Sequence, residues 1–95
     1  AAALAGPAAS FRLDQNYPNP FNPSTRLSFS IAARARVTLT VYDLLGRTVE
    51  RLVDGELPQG VHGVVWDASR HAAGTYFVRL EAGTSSSVRR MLLLR

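Results

Sequence analysis

From residue 25 onward, apolar and polar positions alternate with a period of two. Leu27, Phe29 and Ile31 alternate with Arg26, Ser28 and Ser30, and Val37, Leu39 and Val41 alternate with Thr38, Thr40 and Tyr42. Successive side chains of a strand point to opposite faces, so each run predicts a half-buried β-strand. A third strand is predicted over 48–53, stopped by Asp54-Gly55 and a loop through Pro58 to Gly60. Another covers 61–67, with His62, Val64 and Trp66 on one face and Val61 and Val65 on the other. Residues 75–82 set Tyr76, Val78 and Leu80 against Phe77, Arg79 and Glu81. After a turn over 83–87, the last strand covers 88–94, with Met91 and Leu93 sharing a face with Arg89. Asp43-Leu44-Leu45-Gly46-Arg47 predicts a tight turn in which glycine supplies positive φ. No stretch keeps helical spacing. Short strands separated by turn signals about every ten residues predict an all-β antiparallel sandwich of roughly seven strands.

The first residues do not join this pattern. Residues 1–10 are Ala, Gly, Pro and Ser with one Leu, uncharged and aperiodic, and are expected to be a flexible interdomain linker. The domain proper is expected to span 11–95. Between Asp14 and Thr25 stand Pro18, Pro20 and Pro23 with Asn16, Asn19 and Asn22. Proline fixes φ and holds its predecessor extended, which forbids a helix. This segment is expected to be an irregular lead-in anchored by Tyr17 and Phe21, both plugging an open end of the sandwich.

Composition narrows the class. Ninety-five residues make one domain, and 46% hydrophobic content argues against disorder. With no cysteine, disulfides, thiolate zinc sites and cysteine nucleophiles are excluded. No apolar run approaches the roughly 20 residues of a membrane-spanning helix. The Ala-rich start lacks an initiator Met and a basic leading segment, which is read as a piece of a longer protein rather than a signal peptide.

All eleven basic residues are arginine against seven acidic ones, for a formal charge of +4. The excess sits towards the two ends, Arg12 to Arg36 and Arg89 to Arg95. Nucleic-acid binding calls for a clustered basic stripe with interleaved aromatics, and Arg89 and Arg90 point oppositely; a solvated surface is the expectation, with no nucleic-acid partner.

Hydrolysis needs a nucleophile with a base or two facing carboxylates. Asp14, Asp43, Asp54, Glu56 and Asp67 stand at predicted turns, where carboxylates bond main-chain N–H groups. His62 reads as a histidine at the edge of the core, and His71 has no nearby ligand to make a metal site. No catalytic, metal or cofactor site is expected, and the domain is read as not an enzyme.

The segment Phe11-Arg-Leu-Asp-Gln-Asn-Tyr-Pro-Asn-Pro-Phe-Asn-Pro-Ser-Thr25 closely resembles the opening of type A C-terminal sorting domains of the type IX secretion system. Four more motifs follow in order. They are Val41-Tyr42-Asp43-Leu44-Leu45-Gly46-Arg47, Gly60-Val61-His62 through Trp66-Asp67, Ala73-Gly74-Thr75-Tyr76, and Arg90-Met91-Leu92-Leu93-Leu94-Arg95. Ala73, Thr75 and His71 depart from the usual pattern, and His71 is expected to loosen its loop.

The resemblance implies an Ig-like fold, related to the Ig-like domain of flagellar hook-capping proteins. It also implies a non-catalytic module of a larger secreted protein, directing export through the periplasm and across the outer membrane to the cell surface. Implied partners are the outer-membrane secretion machinery, a surface glycolipid or envelope component, and an upstream catalytic domain in the same chain; the module is expected to be monomeric.

As the family signature it points to Tyr17, Pro18, Asn19, Pro20, Phe21, Asn22, Pro23, Tyr42, Asp43, Gly46, Arg47, Gly60, His62, Trp66, Asp67, Gly74 and Tyr76, in structural roles. Candidate recognition residues are Arg89, Arg90, Met91, Leu93 and Arg95, on a last strand whose unpaired edge would pair with a receptor strand. The alternative is a carbohydrate-binding or Ig-like spacer module of a secreted glycoside hydrolase. Tyr42 and Phe77 are the aromatics that the pattern leaves off the core faces.

Overall fold

A computed structural model describes residues 10–94. Seven strands run in chain order: β1 (Arg12–Leu13), β2 (Ser24–Ile31), β3 (Ala35–Tyr42), β4 (Thr48–Leu57), β5 (Gly60–Asp67), β6 (Gly74–Ala82) and β7 (Ser85–Leu93). They form two sheets, ordered β1-β2-β5 and β4-β3-β6-β7, with every pairing antiparallel. No helix occurs among the described residues. The two sheets face each other as an Ig-like sandwich.

The period-two pattern accounts for the core. Leu27, Phe29 and Ile31 from β2, Val37, Leu39 and Val41 from β3, Val78 and Leu80 from β6, and Met91 and Leu93 from β7 are all buried. Trp66 and Tyr76 close one end, and Leu13 adds the short β1. No buried side-chain nitrogen or oxygen among the described residues lacks a hydrogen-bond partner.

Several expectations need correction. The strand predicted over 48–53 runs on to Leu57, taking in Asp54 and Gly55. Gly55 pairs with Val37, and Asp54 receives Arg36 at 2.6 Å and Arg51 at 3.5 Å, so charges on the solvent face of an edge strand replace a loop. The turn predicted over 83–87 is tighter, because β7 already begins at Ser85. Tyr17 plugs nothing: it is 81% exposed, whereas Phe21 is buried. The expected linker falls almost wholly on residues 1–9, outside the described residues, as does Arg95.

Candidate functional site

The Pro/Asn segment between β1 and β2 is a strap tied to both sheets. Tyr17 and Arg26 exchange main-chain hydrogen bonds of 3.0 and 2.9 Å, holding the strap to β2. Inside the loop, the buried Asn16 donates to the Pro18 carbonyl at 3.1 Å and to Thr25 Oγ1 at 3.0 Å, and Thr25 Oγ1 donates to Pro18 O at 2.8 Å. Proline has no N–H to donate, and here side chains satisfy the Pro18 carbonyl. The Tyr17–Pro18, Asn19–Pro20 and Asn22–Pro23 peptide bonds are cis. Pro18, Asn19, Pro20, Asn22 and Pro23 all have exposed side chains.

The strap then runs along the outer edge of β7. Gln15 Nε2 donates to Arg90 O at 2.7 Å, and Leu92 N–H donates to Asn19 Oδ1 at 3.0 Å. Phe21 N–H donates to Leu92 O at 3.0 Å and Leu94 N–H to Phe21 O at 2.9 Å, a short parallel bridge. This overturns the expectation of an unpaired terminal edge, since the strap already occupies it from Arg90 to Leu94. Met91 and Leu93 are fully buried, so their side chains are inaccessible in the folded domain. Arg89 is exposed, and its Nε donates to Leu13 O at 2.9 Å, linking the two sheets. Arg90 points outward and is exposed.

A second cluster sits at the sandwich end. Trp66 packs against Tyr76 (centroids 5.4 Å apart), Phe21 (5.7 Å) and His71 (5.7 Å). Its indole N–H donates to Glu50 Oε1 at 3.0 Å, and Tyr76 OH donates to Ala72 O at 2.6 Å. The His71 ring also packs against Tyr76, at 6.4 Å. His62 stacks near Phe29 at 5.5 Å and donates from Nε2 to Pro58 O at 2.8 Å. Sequence reasoning missed Gln15, Asn16, Thr25 and Glu50. Each acts across a distance in sequence that periodicity does not register.

The Asp43–Arg47 turn is built as predicted. Asp43 Oδ1 accepts from Leu45 N–H at 2.9 Å and Arg47 N–H at 3.0 Å, Arg47 Nε donates to Oδ2 at 2.8 Å, and Gly46 takes φ +83°. The Arg47 main-chain bond, with the Arg47 side chain and Leu45 N–H, lowers the Asp43 pKa. Asp67 is lowered likewise, chiefly by the Ser69 N–H at 2.9 Å. Gly60 and Gly74 also take positive φ, each at the start of its strand.

The remaining carboxylates have structural partners too: Asp14 with Arg12, Glu56 with Arg34, Glu81 with Thr38 and Arg79. No group of three metal-ligating side chains occurs among the described residues. On the outer face of the second sheet, Tyr42 and Phe77 are cross-strand neighbours beside a shallow depression of ≈ 310 Å³, also lined by Arg79 and Val88.

Two features define the class of protein: a seven-stranded Ig-like sandwich and a Pro/Asn strap that fastens its last strand. The chain matches the model of the secretion system C-terminal sorting domain over residues 15–94, and it belongs to that family. It is thus a C-terminal sorting domain of the type IX secretion-system class. Among solved structures it is similar to PorZ, an essential bacterial surface component of the type IX secretion system of Porphyromonas gingivalis. The likeness has a TM-score of 0.59 at 20% identity, and covers 90% of this chain but 12% of PorZ. A search of the curated proteins finds no match.

Proposed function

We propose that this domain is the non-catalytic sorting module of a larger secreted protein. It directs its cargo across the outer membrane by the type IX route and serves its attachment to a surface glycolipid or another envelope component. The observation that carries this reading is the family match over residues 15–94, which spans the strap and the strand it fastens. Arg89 and Arg90 are the exposed recognition candidates of that strand, with Arg89 also tied to Leu13 O; the buried Met91 and Leu93 hold the fold that presents them.

The test fuses the chain to a reporter in a host with a type IX system and asks for surface display. Deleting residues 90–95 removes the core residues Met91 and Leu93, so lost display there has an unfolding cause. Arg90→Glu leaves the core alone. It should reduce display while the melting temperature stays put, and full display would remove Arg90 from the recognition surface.

A second reading, a carbohydrate-binding module, is favoured by the half-buried Tyr42–Phe77 pair beside its depression. Aromatic faces stack on sugar rings. Retention on insoluble polysaccharide that is lost with Phe77→Ala would support it.

A further inference from the structure

Exposed sheet edges invite pairing with other chains, and native proteins blunt them with bulges, charges, short strands or a covering segment. Three of the four edges here are blunted, wholly or in part. β1 has two residues. The β3–β4 pairing shifts register opposite Leu39/Thr40 and Val41/Tyr42 of β3, and β4 carries four charged side chains, Glu50, Arg51, Asp54 and Glu56. The outer edge of β7 is covered by the strap from Arg90 to Leu94.

The edge of β5 has none of these. It pairs with β2 over eight consecutive residues without a shift. It contains no proline, and its one acidic residue, Asp67, stands at its end. Arg26 and Ser28 bond towards Tyr17 and Asp14, so the alternate β2 residues bond to β5. The register then turns the N–H and C=O groups of Val61, Gly63 and Val65 away from β2, and none of these groups bonds a described residue outside the sheet. Val61 and Val65 are 62% and 57% exposed. Between them the Arg26 guanidinium lies over Gly63: a Cβ there would collide with Nη2 and stand 3.0 Å from Cζ. The Arg26 side chain makes no hydrogen bond or ion pair with another described residue.

We propose that the β5 edge is a strand-addition site for an extended segment of a partner protein, one carrying a carboxylate flanked two residues away on each side by apolar side chains. Main-chain bonds to Val61, Gly63 and Val65 supply the pairing. Val61 and Val65 meet the apolar flanks, and the unpaired Arg26 meets the carboxylate. A second copy of this chain fits less well, since antiparallel pairing of Val61 with Val65 of the copy brings two Arg26 guanidinium groups together at the dyad.

The test titrates the isotope-labelled 95-residue chain with a capped decapeptide of alternating threonine and valine, with one central valine replaced by glutamate. Exchange of the Val61, Gly63 and Val65 amides should be fast in the free chain and slow at least tenfold with peptide. Arg26→Gln in the protein, or lysine for the central glutamate, should weaken binding at least fivefold. Val65→Pro removes one outward N–H that β2 does not use; it should abolish binding with the spectrum of the core unchanged. No binding, equal binding of the lysine peptide, or protection appearing instead with dimer formation in sedimentation would overturn the proposal. None of these outcomes bears on export, which the reporter fusion tests separately.

Discussion

Phe21 and Leu93 lie side by side in a parallel bridge, the first from the strap and the second from the end of β7. Both side chains are buried, and two main-chain bonds of 3.0 and 2.9 Å flank the pair. The beginning and end of the domain therefore stabilise each other. Phe21→Ala removes a buried ring at this junction and should cost about 3–5 kcal/mol. Urea unfolding of the variant measures it, and a cost under about 1 kcal/mol would mean that the strap contributes little to the fold.

Neighbouring strap residues should behave in opposite ways. Asn16 is buried, donates to Pro18 O and Thr25 Oγ1 and accepts from Gln15 Nε2, so Asn16→Ala strips three partners at once. A loss of about 1–3 kcal/mol is expected. Tyr17 projects into solvent, and Tyr17→Ser should fall within about 0.5 kcal/mol of the parent. A large cost for Tyr17→Ser in the same denaturation series would contradict the exposure assigned to its ring.

These two residues also show where sequence reading succeeds and stops. Alternation placed Leu27, Val37, Val78 and Met91 in the core, because a strand with one face buried must segregate side chains by parity. Gly46 announced its turn. Tyr17 misled because aromatic character suggests burial, while the strap geometry carries only Phe21 inward. Asp54-Gly55 misled because a turn dipeptide was read without its cross-strand partners Thr38 and Val37. The family signature was legible as ordered motifs. That the strap covers the β7 edge was not legible, because it rests on contacts such as Gln15 with Arg90, 75 residues apart.

The turn carboxylates set an acid dependence. Asp43 and Asp67 both titrate below their ordinary value of 3.8 in the folded chain, Asp43 through the Arg47 N–H and Asp67 through the Ser69 N–H. A depressed folded pKa contributes stability that is complete above the unfolded value and lost as pH falls through the folded one. Asp43→Asn should therefore be less stable than the parent by a constant margin at neutral pH, and the gap should close below about pH 4. Denaturation curves for both proteins at several pH values test it. A gap that persists into strong acid would assign the effect to side-chain shape rather than charge.

The last prediction concerns Trp66 and Glu50, which meet across the sandwich end. Trp66→Ala should cost about 3–5 kcal/mol, since the ring contacts Phe21, Tyr76 and His71. That number alone does not isolate the indole hydrogen bond. Glu50→Leu removes the acceptor at 3.0 Å but also the carboxylate that stands 3.8 Å from His71 Nε2. A double-mutant cycle separates the two. In a Trp66→Phe background the donor is gone, so Glu50→Leu should cost less by about 0.5–3 kcal/mol than it does in the parent. Equal costs in the two backgrounds would show that Glu50 acts through His71 and that the indole N–H contributes nothing to holding the β4 edge against the aromatic cluster.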